Sequence, residues 1–222
     1  MISSRLKRLL RTFLVPPSKR RHALVGPLHL WKMKRDFQIA FLRQAGLRPT
    51  HYLLDLGCGT LRGGIPIIRY LEAGHYYGVE SRAEVLAEGL RELREAGLEK
   101  KAPVLLHSER LSDLELSRRF DYVWAFSVLI HMPDEVLAES LRWLSTHLQP
   151  DGQFFANVNA GAAPDGEWQG FPIVFREVEF YRKQAHRFGL EMEVVGTLGS
   201  LGHRSGVKAQ DEQIMLRFQL RP

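Results

Sequence analysis

Five short apolar runs recur along the chain with little polar alternation: HYLLDL (51–56), YYGVE (76–80), PVLLH (103–107), FDYVWAF (120–126) and QFFANVN (153–159). A strand with one solvated face alternates apolar and polar residues, so these runs predict strands buried on both faces, in a parallel sheet covered by helices. The intervening segments carry helical signals. Ser81 followed by Glu84 matches a capping box opening a helix in which Leu86, Leu90 and Leu93 share a face and Gly97 marks the end. Pro133 and Asp134 predict the start of another helix, closed near LQPDG (148–152), and a third is expected near 176–188. Beyond it, LEMEVVG (190–196) and EQIMLRFQL (212–220) read as an antiparallel pair joined by a glycine-rich loop. Repeated βαβ units with crossovers of one hand give an α/β, Rossmann-like three-layer sandwich with a doubly wound, mostly parallel sheet.

The amino-terminal stretch has a different pattern. Ile2, Leu6, Leu9, Leu10, Phe13 and Leu14 recur at helical spacing opposite Arg5, Lys7, Arg8 and Arg11, and Pro16 and Pro17 end the run. Residues 1–35 hold ten Lys and Arg and no acid, so although the chain carries +6 overall, the remaining 187 residues sum to −4. The chain therefore divides into a basic amphipathic arm (1–28) and one domain (29–222); such a helix could lie on anionic lipid through residues 1–21 or dock on a partner, and the plainer reading is a mobile or packed terminal arm. No run approaches the roughly 20 apolar residues of a membrane span, and charges interrupt any secretory-signal core. With 222 residues, 45% of them hydrophobic, one compact domain is expected. The single cysteine, Cys58, fits a reducing compartment, so the expected location is cytoplasmic, peripheral to the inner face of a membrane where the arm engages lipid.

The chemistry gathers where the first strand ends, in LLDLGCGTLRGG (53–64). Gly57 and Gly59 allow a tight turn and close backbone approach to a ligand, while Gly63 and Gly64 let a helix begin against the sheet. A dinucleotide fingerprint would need glycine at position 62, which is Arg62. Asp55 also opposes a diphosphate, at a cost of about 4 kcal/mol for charges ~4 Å apart in an effective dielectric of ~20. For a ligand ending in an amino-acid ammonium the sign reverses. S-adenosylmethionine has that end, with adenosine at the other. Glu80, closing the second strand, is suited to accept both ribose hydroxyls. HSERLSD (107–113) offers Ser108, Glu109 and Arg110 beside an adenine.

DLGCGTLRGG, YYGVE and FDYVWAFSVLIHMP resemble the successive motifs of class I S-adenosylmethionine-dependent methyltransferases, a likeness spanning roughly residues 29–220. The resemblance implies a seven-stranded sheet with a reversed last strand. It assigns Asp55, Gly57, Cys58, Gly59, Thr60 and Gly63 to the methionine end, Glu80 to the ribose and Ser108 with Glu109 to the adenine. Ala125, Phe126 and Ser127 would form the floor beside the sulfonium, where Trp124 or Phe126 could contribute a cation–π contact. The family's third glycine falls here on Leu61, which puts the loop's shape in question.

Methyl transfer needs an aligned nucleophile, and a base only when the acceptor is an alcohol. His131, just past the fourth strand, is the candidate base. His203, in LGHRSG, is the competing histidine and is counted with the acceptor site. Trp31 and the aromatics Trp168 and Phe171 of AGAAPDGEWQGFPIVF (160–175) complete the candidate acceptor wall. No paired His or Cys spacing suggests a metal. The expected acceptor is a small molecule, saccharide or lipid-linked compound. Nucleic acid is disfavoured because the fourth motif lacks the Pro-Pro-aromatic signature of the family's amino-methylating nucleic-acid enzymes. The rivals are a non-catalytic cofactor-binding module, an RNA methyltransferase that uses the basic arm, and a nicotinamide-dinucleotide oxidoreductase. Oligomeric state has no signature in the sequence.

Overall fold

A computed structural model describes residues 20–168 and 170–221; the amphipathic helix expected over residues 1–14 lies outside them. A short helix α1 (Arg20–Ala23) leads to α2 (Trp31–Gln44), after which strands and helices alternate: β1 (Leu53–Leu56), α3 (Gly64–Tyr70), β2 (Tyr76–Glu80), α4 (Ala83–Glu95), β3 (Val104–His107), β4 (Phe120–Ala125) and α5 (Asp134–His147). β5 (Leu148–Val158) is followed by a small hairpin, β6 (Gly166–Trp168) and β7 (Phe171–Ile173). The chain ends with α6 (Val178–Arg187), β8 (Leu190–Thr197), the single turn α7 (Lys208–Asp211) and β9 (Ile214–Leu220).

The seven strands of the main sheet lie in the order β3-β2-β1-β4-β5-β9-β8. The β1–β2, β2–β3, β1–β4 and β4–β5 pairs are parallel, whereas β9 runs antiparallel to both β5 and β8. This is the sandwich expected from the unalternating apolar runs. Successive residues feed opposite cores: Leu53, Trp124 and Phe155 pack with α2, α3 and α4 on one face. Leu54, Val123 and Phe154 pack with α5 and α6 on the other. From β1 the chain winds outward through β2 and β3, then returns to place β4 on β1's other side. The strand order therefore switches between β1 and β4, where open α/β sheets leave a crevice for ligands.

Three local expectations need correction. The Ser81–Glu84 capping box does not form; Arg82 is the N-cap of α4 and no side chain caps that end. Leu90 does not share the inward face with Leu86 and Leu93. It is 39% exposed, and Gly89 takes the inward place, where a β-carbon would come within 3.2 Å of the Gly59 carbonyl oxygen. The helix from Asp134 closes at LQPDG as expected, but β5 begins there at Leu148, ahead of the strand expected over 153–159. The segment 160–175, loop-like in composition, contains the β6–β7 hairpin, tied down by Arg176 between Asp134 (2.9 Å) and Asp165 (2.6 Å). Among the described residues no helix is long and apolar enough to cross a membrane.

Candidate active site

The crevice at the switch point opens into a cavity of about 710 Å³, within the size range of small-ligand sites. Its floor is the loop after β1. Gly57 (φ +66°) and Gly59 (φ +59°) both sit in the left-handed region. A β-carbon on Gly57 would fall 2.6 Å from Val128 Cγ2, and one on Gly59 would fall 2.9 Å from Val25 Cγ1, so glycine is required on two grounds. Leu61, at the family's third glycine position, keeps the left-handed backbone at φ +57° and is fully buried. A left-handed residue with a side chain costs roughly 1–2 kcal/mol, offset here by packing. Gly64 and Gly89 make the room, since β-carbons there would come within 2.8 Å of Leu61 Cδ2 and 3.2 Å of Leu61 Cγ. Of the two glycines that follow in the motif, Gly64 packs against Leu61 while Gly63 faces Gln38.

Charge is laid out along this floor. Asp55 is buried and accepts a 2.6 Å hydrogen bond from the Tyr76 hydroxyl; burial drives its pKa from 3.8 up to about 7, with the tyrosine bond opposing. Glu80 Oε2 accepts from the Gly59 amide at 3.0 Å, and its Oε1 accepts from the Arg82 amide (3.1 Å) and Nε (3.0 Å). Two cations missed in the sequence complete the set. Arg62 donates to the Val25 carbonyl at 2.7 Å while its buried Nε lacks a partner, and burial pulls its pKa down to about 10. Lys34, on α2, is 9% exposed and lies 5.9 Å from the Phe126 ring; burial and the neighbouring Arg62 lower it to about 8. One turn later Gln38 accepts from Trp124 Nε1 at 2.8 Å. Arg62 had registered only as a break in a dinucleotide pattern, and Lys34 only as one cation of a basic stretch.

The cavity brings together Asp55, Gly57, Cys58, Gly59, Gly63, Glu80, Phe126, Ser127, His131, Trp168 and Phe171 from the expected site. Ser127 is held at φ +60° with its amide on Asn157 Oδ1 at 2.6 Å. The other expected residues lie off the wall. Thr60 and Ala125 are fully buried behind it. Ser108 and Glu109 turn outward after β3, Ser108 Oγ donating to the Arg110 carbonyl at 2.7 Å. Trp31 stacks on His22 with centroids 4.0 Å apart. His203 is 1% exposed, with Nδ1 2.7 Å from Asp211 Oδ1 and its ring packed edge-on to Phe37.

His131 lines the cavity wall. Its Nδ1 lies 2.7 Å from the Pro172 carbonyl oxygen. A carbonyl only accepts, so Nδ1 carries the proton and Nε2 keeps its lone pair. Burial lowers the imidazole pKa below 6.5, which leaves the ring neutral near pH 7. The hairpin that bonds His131 also supplies Trp168 and Phe171, and the Arg82 guanidinium lies 5.2 Å from the Phe171 ring. Leu24 to Pro27 also line the cavity.

This donor set suits S-adenosylmethionine. The two acids match an ammonium and a ribose diol, and the unpartnered Arg62 Nε and Lys34 match a carboxylate. Among the described residues no group of three or more His, Cys, Asp or Glu gathers to hold a metal ion.

Residues 54–154 match the family of the methyltransferase domain. An uncharacterized methyltransferase of Schizosaccharomyces pombe is 29% identical over 120 residues, covering 51% of this chain and 42% of that protein. The chain thus spans less than half the length of that relative. Among solved structures, an S-adenosylmethionine-dependent methyltransferase from Clostridium acetobutylicum superposes with a TM-score of 0.65 at 17% identity, over 96% of this chain and 100% of that one. Magnesium protoporphyrin IX methyltransferase from Synechocystis PCC 6803, with S-adenosylhomocysteine bound, gives 0.66 at 16% identity, over 100% and 96%. At such identities the likeness is one of fold.

Proposed function

We propose that the chain is a class I S-adenosylmethionine-dependent methyltransferase that methylates a hydroxyl of a small-molecule acceptor, with His131 as the base. One observation carries this reading: a neutral histidine whose tautomer is fixed lines the same cavity as two strand-end carboxylates and two buried cations. The cofactor, when bound, supplies an electrophilic methyl group on a sulfonium and leaves as a neutral thioether. Asp55 would hold its ammonium, Arg62 and Lys34 its carboxylate, and Glu80 its ribose hydroxyls in exchange for Arg82. His131 Nε2 accepts the proton that the acceptor hydroxyl gives up as its oxygen bonds the methyl carbon. Alignment of the two bound reactants supplies much of the rate.

Calorimetric titration with S-adenosylhomocysteine, with NADH beside it, tests the cofactor assignment. The demethylated product should bind and NADH should not; the reverse would defeat the reading of Asp55. Glu80→Gln should weaken product binding at least about tenfold, the loss of roughly one charge-assisted hydrogen bond. His131→Ala should leave product affinity within about twofold while slowing transfer to a hydroxyl by ~10²–10⁴. An undiminished rate would remove His131 as the base.

A further inference from the structure

Three side-chain amides form a chain of hydrogen bonds from the floor of the cavity to its hairpin wall. The Ser127 amide donates to Asn157 Oδ1 at 2.6 Å, Asn157 Nδ2 to Gln213 Oε1 at 2.7 Å, Gln213 Nε2 to Asn159 Oδ1 at 2.9 Å, and Asn159 Nδ2 to the Val174 carbonyl at 3.2 Å. A backbone N–H only donates and a backbone carbonyl only accepts, so the two ends fix which way every amide between them points. A carboxamide has two N–H groups and an oxygen with two lone pairs, and each member spends one of each inside the chain. Asn157 is fully buried in β5, whereas Asn159 and Gln213 line the cavity. These two therefore each keep one N–H and one lone pair for a ligand. Gln210 lines the same cavity, and its buried Oε1 has no hydrogen-bond partner among the described residues. The Val174 amide in turn donates at 2.9 Å to the carbonyl of Ile130, the residue before His131, which ties the amide pair to the segment that carries the proposed base.

We propose that Asn159 and Gln213 form an acceptor-binding pair that takes an uncharged group able both to donate and to accept a hydrogen bond, a carboxamide or a second hydroxyl; the inference rests on the methyltransferase reading and narrows its substrate class. Such a group uses the free N–H and the free lone pair together. An ionised carboxylate or phosphate only accepts and turns its negative charge on the lone pairs, while an ammonium only donates and opposes the N–H groups. The pair is also pre-organised. Both amides are already held in one orientation, so a ligand does not have to order them on binding. Polarisation along the chain strengthens the donors and acceptors left over at its two cavity members.

The test is calorimetric titration of meta- and para-hydroxybenzamide, each beside the methylphenol in which a methyl group replaces the carboxamide, into the full chain with and without saturating S-adenosylhomocysteine. At least one hydroxybenzamide should bind about tenfold more tightly than its methylphenol, the worth of roughly one well-made hydrogen bond. Asn159→Ala should erase that preference while product affinity stays within about twofold. Gln213→Met, which keeps the length of the side chain but has no N–H to donate, should erase it as well. A merely structural amide chain would instead lose stability in both variants and leave the preference intact. No preference in either isomer, or one that survives both substitutions, would overturn the acceptor-binding pair. Failure to bind S-adenosylhomocysteine would count against the methyltransferase reading instead, and the cofactor-free arm would still decide the amide comparison.

Discussion

Asp55 is held with its proton until pH reaches about 7, because burial penalises its anion more than the Tyr76 hydroxyl stabilises it. Its folded pKa lies above the ordinary 3.8, so the native chain binds more protons than the unfolded one across that interval. Without ligand, the stability Asp55 contributes is complete below about pH 4 and is lost as pH rises through about 7. A bound ammonium favours the anion, so affinity for S-adenosylhomocysteine should rise between about pH 6 and pH 8 and then level off. Asp55→Asn should flatten both dependences, measured by urea midpoints and by calorimetry. The carboxylates were legible in the sequence because strand ends fix where Asp55 and Glu80 point. Arg62 and Lys34 were not, because neither belongs to a spacing pattern. Only the fold, bringing α2 against the loop after β1, shows Arg62 buried beside Asp55 and Lys34 beside Arg62.

Helix α4 separates what periodicity can and cannot reveal. An apolar repeat fixes that a face exists but leaves its rotation open by one residue, and here Gly89 takes the inward place while Leu90 turns out. Leu90→Ala should therefore change stability by less than about 0.5 kcal/mol, whereas Leu93→Ala, which removes a core side chain, should cost about 2–5 kcal/mol. Thermal or chemical denaturation distinguishes them, and equal losses would contradict the observed rotation. The β6–β7 hairpin shows a different limit. Its strands have three residues each, and Gly166, Gly170 and Pro172 mask any alternation, so the turn composition was visible and the pairing was not. The five parallel strands were readable because burial on both faces leaves little room for polar residues.

Across the whole molecule, residues 20–27 are tied to the domain at both ends. Arg21 pairs with Glu92 at 3.1 Å and with Glu95, while the Val25 carbonyl accepts from Arg62. A chain lacking residues 1–19 should keep its product affinity within about twofold and lose any association with anionic vesicles that the basic arm provides. Removal of residues 1–27 should lower product affinity about tenfold, since Arg62 loses a charge-assisted bond and Gly59 its cover. Equal affinities in the two truncations would mean that the rim from Leu24 to Pro27 takes no part in holding the cofactor. The hairpin wall has a subtler property. The group that orients His131 is a backbone carbonyl, that of Pro172, and every amino acid carries one. Side chains along the hairpin can therefore be exchanged through many generations while the His131 ring stays aimed. On the proposed reading, substrate preference is free to drift at this wall without the chemistry having to be invented again.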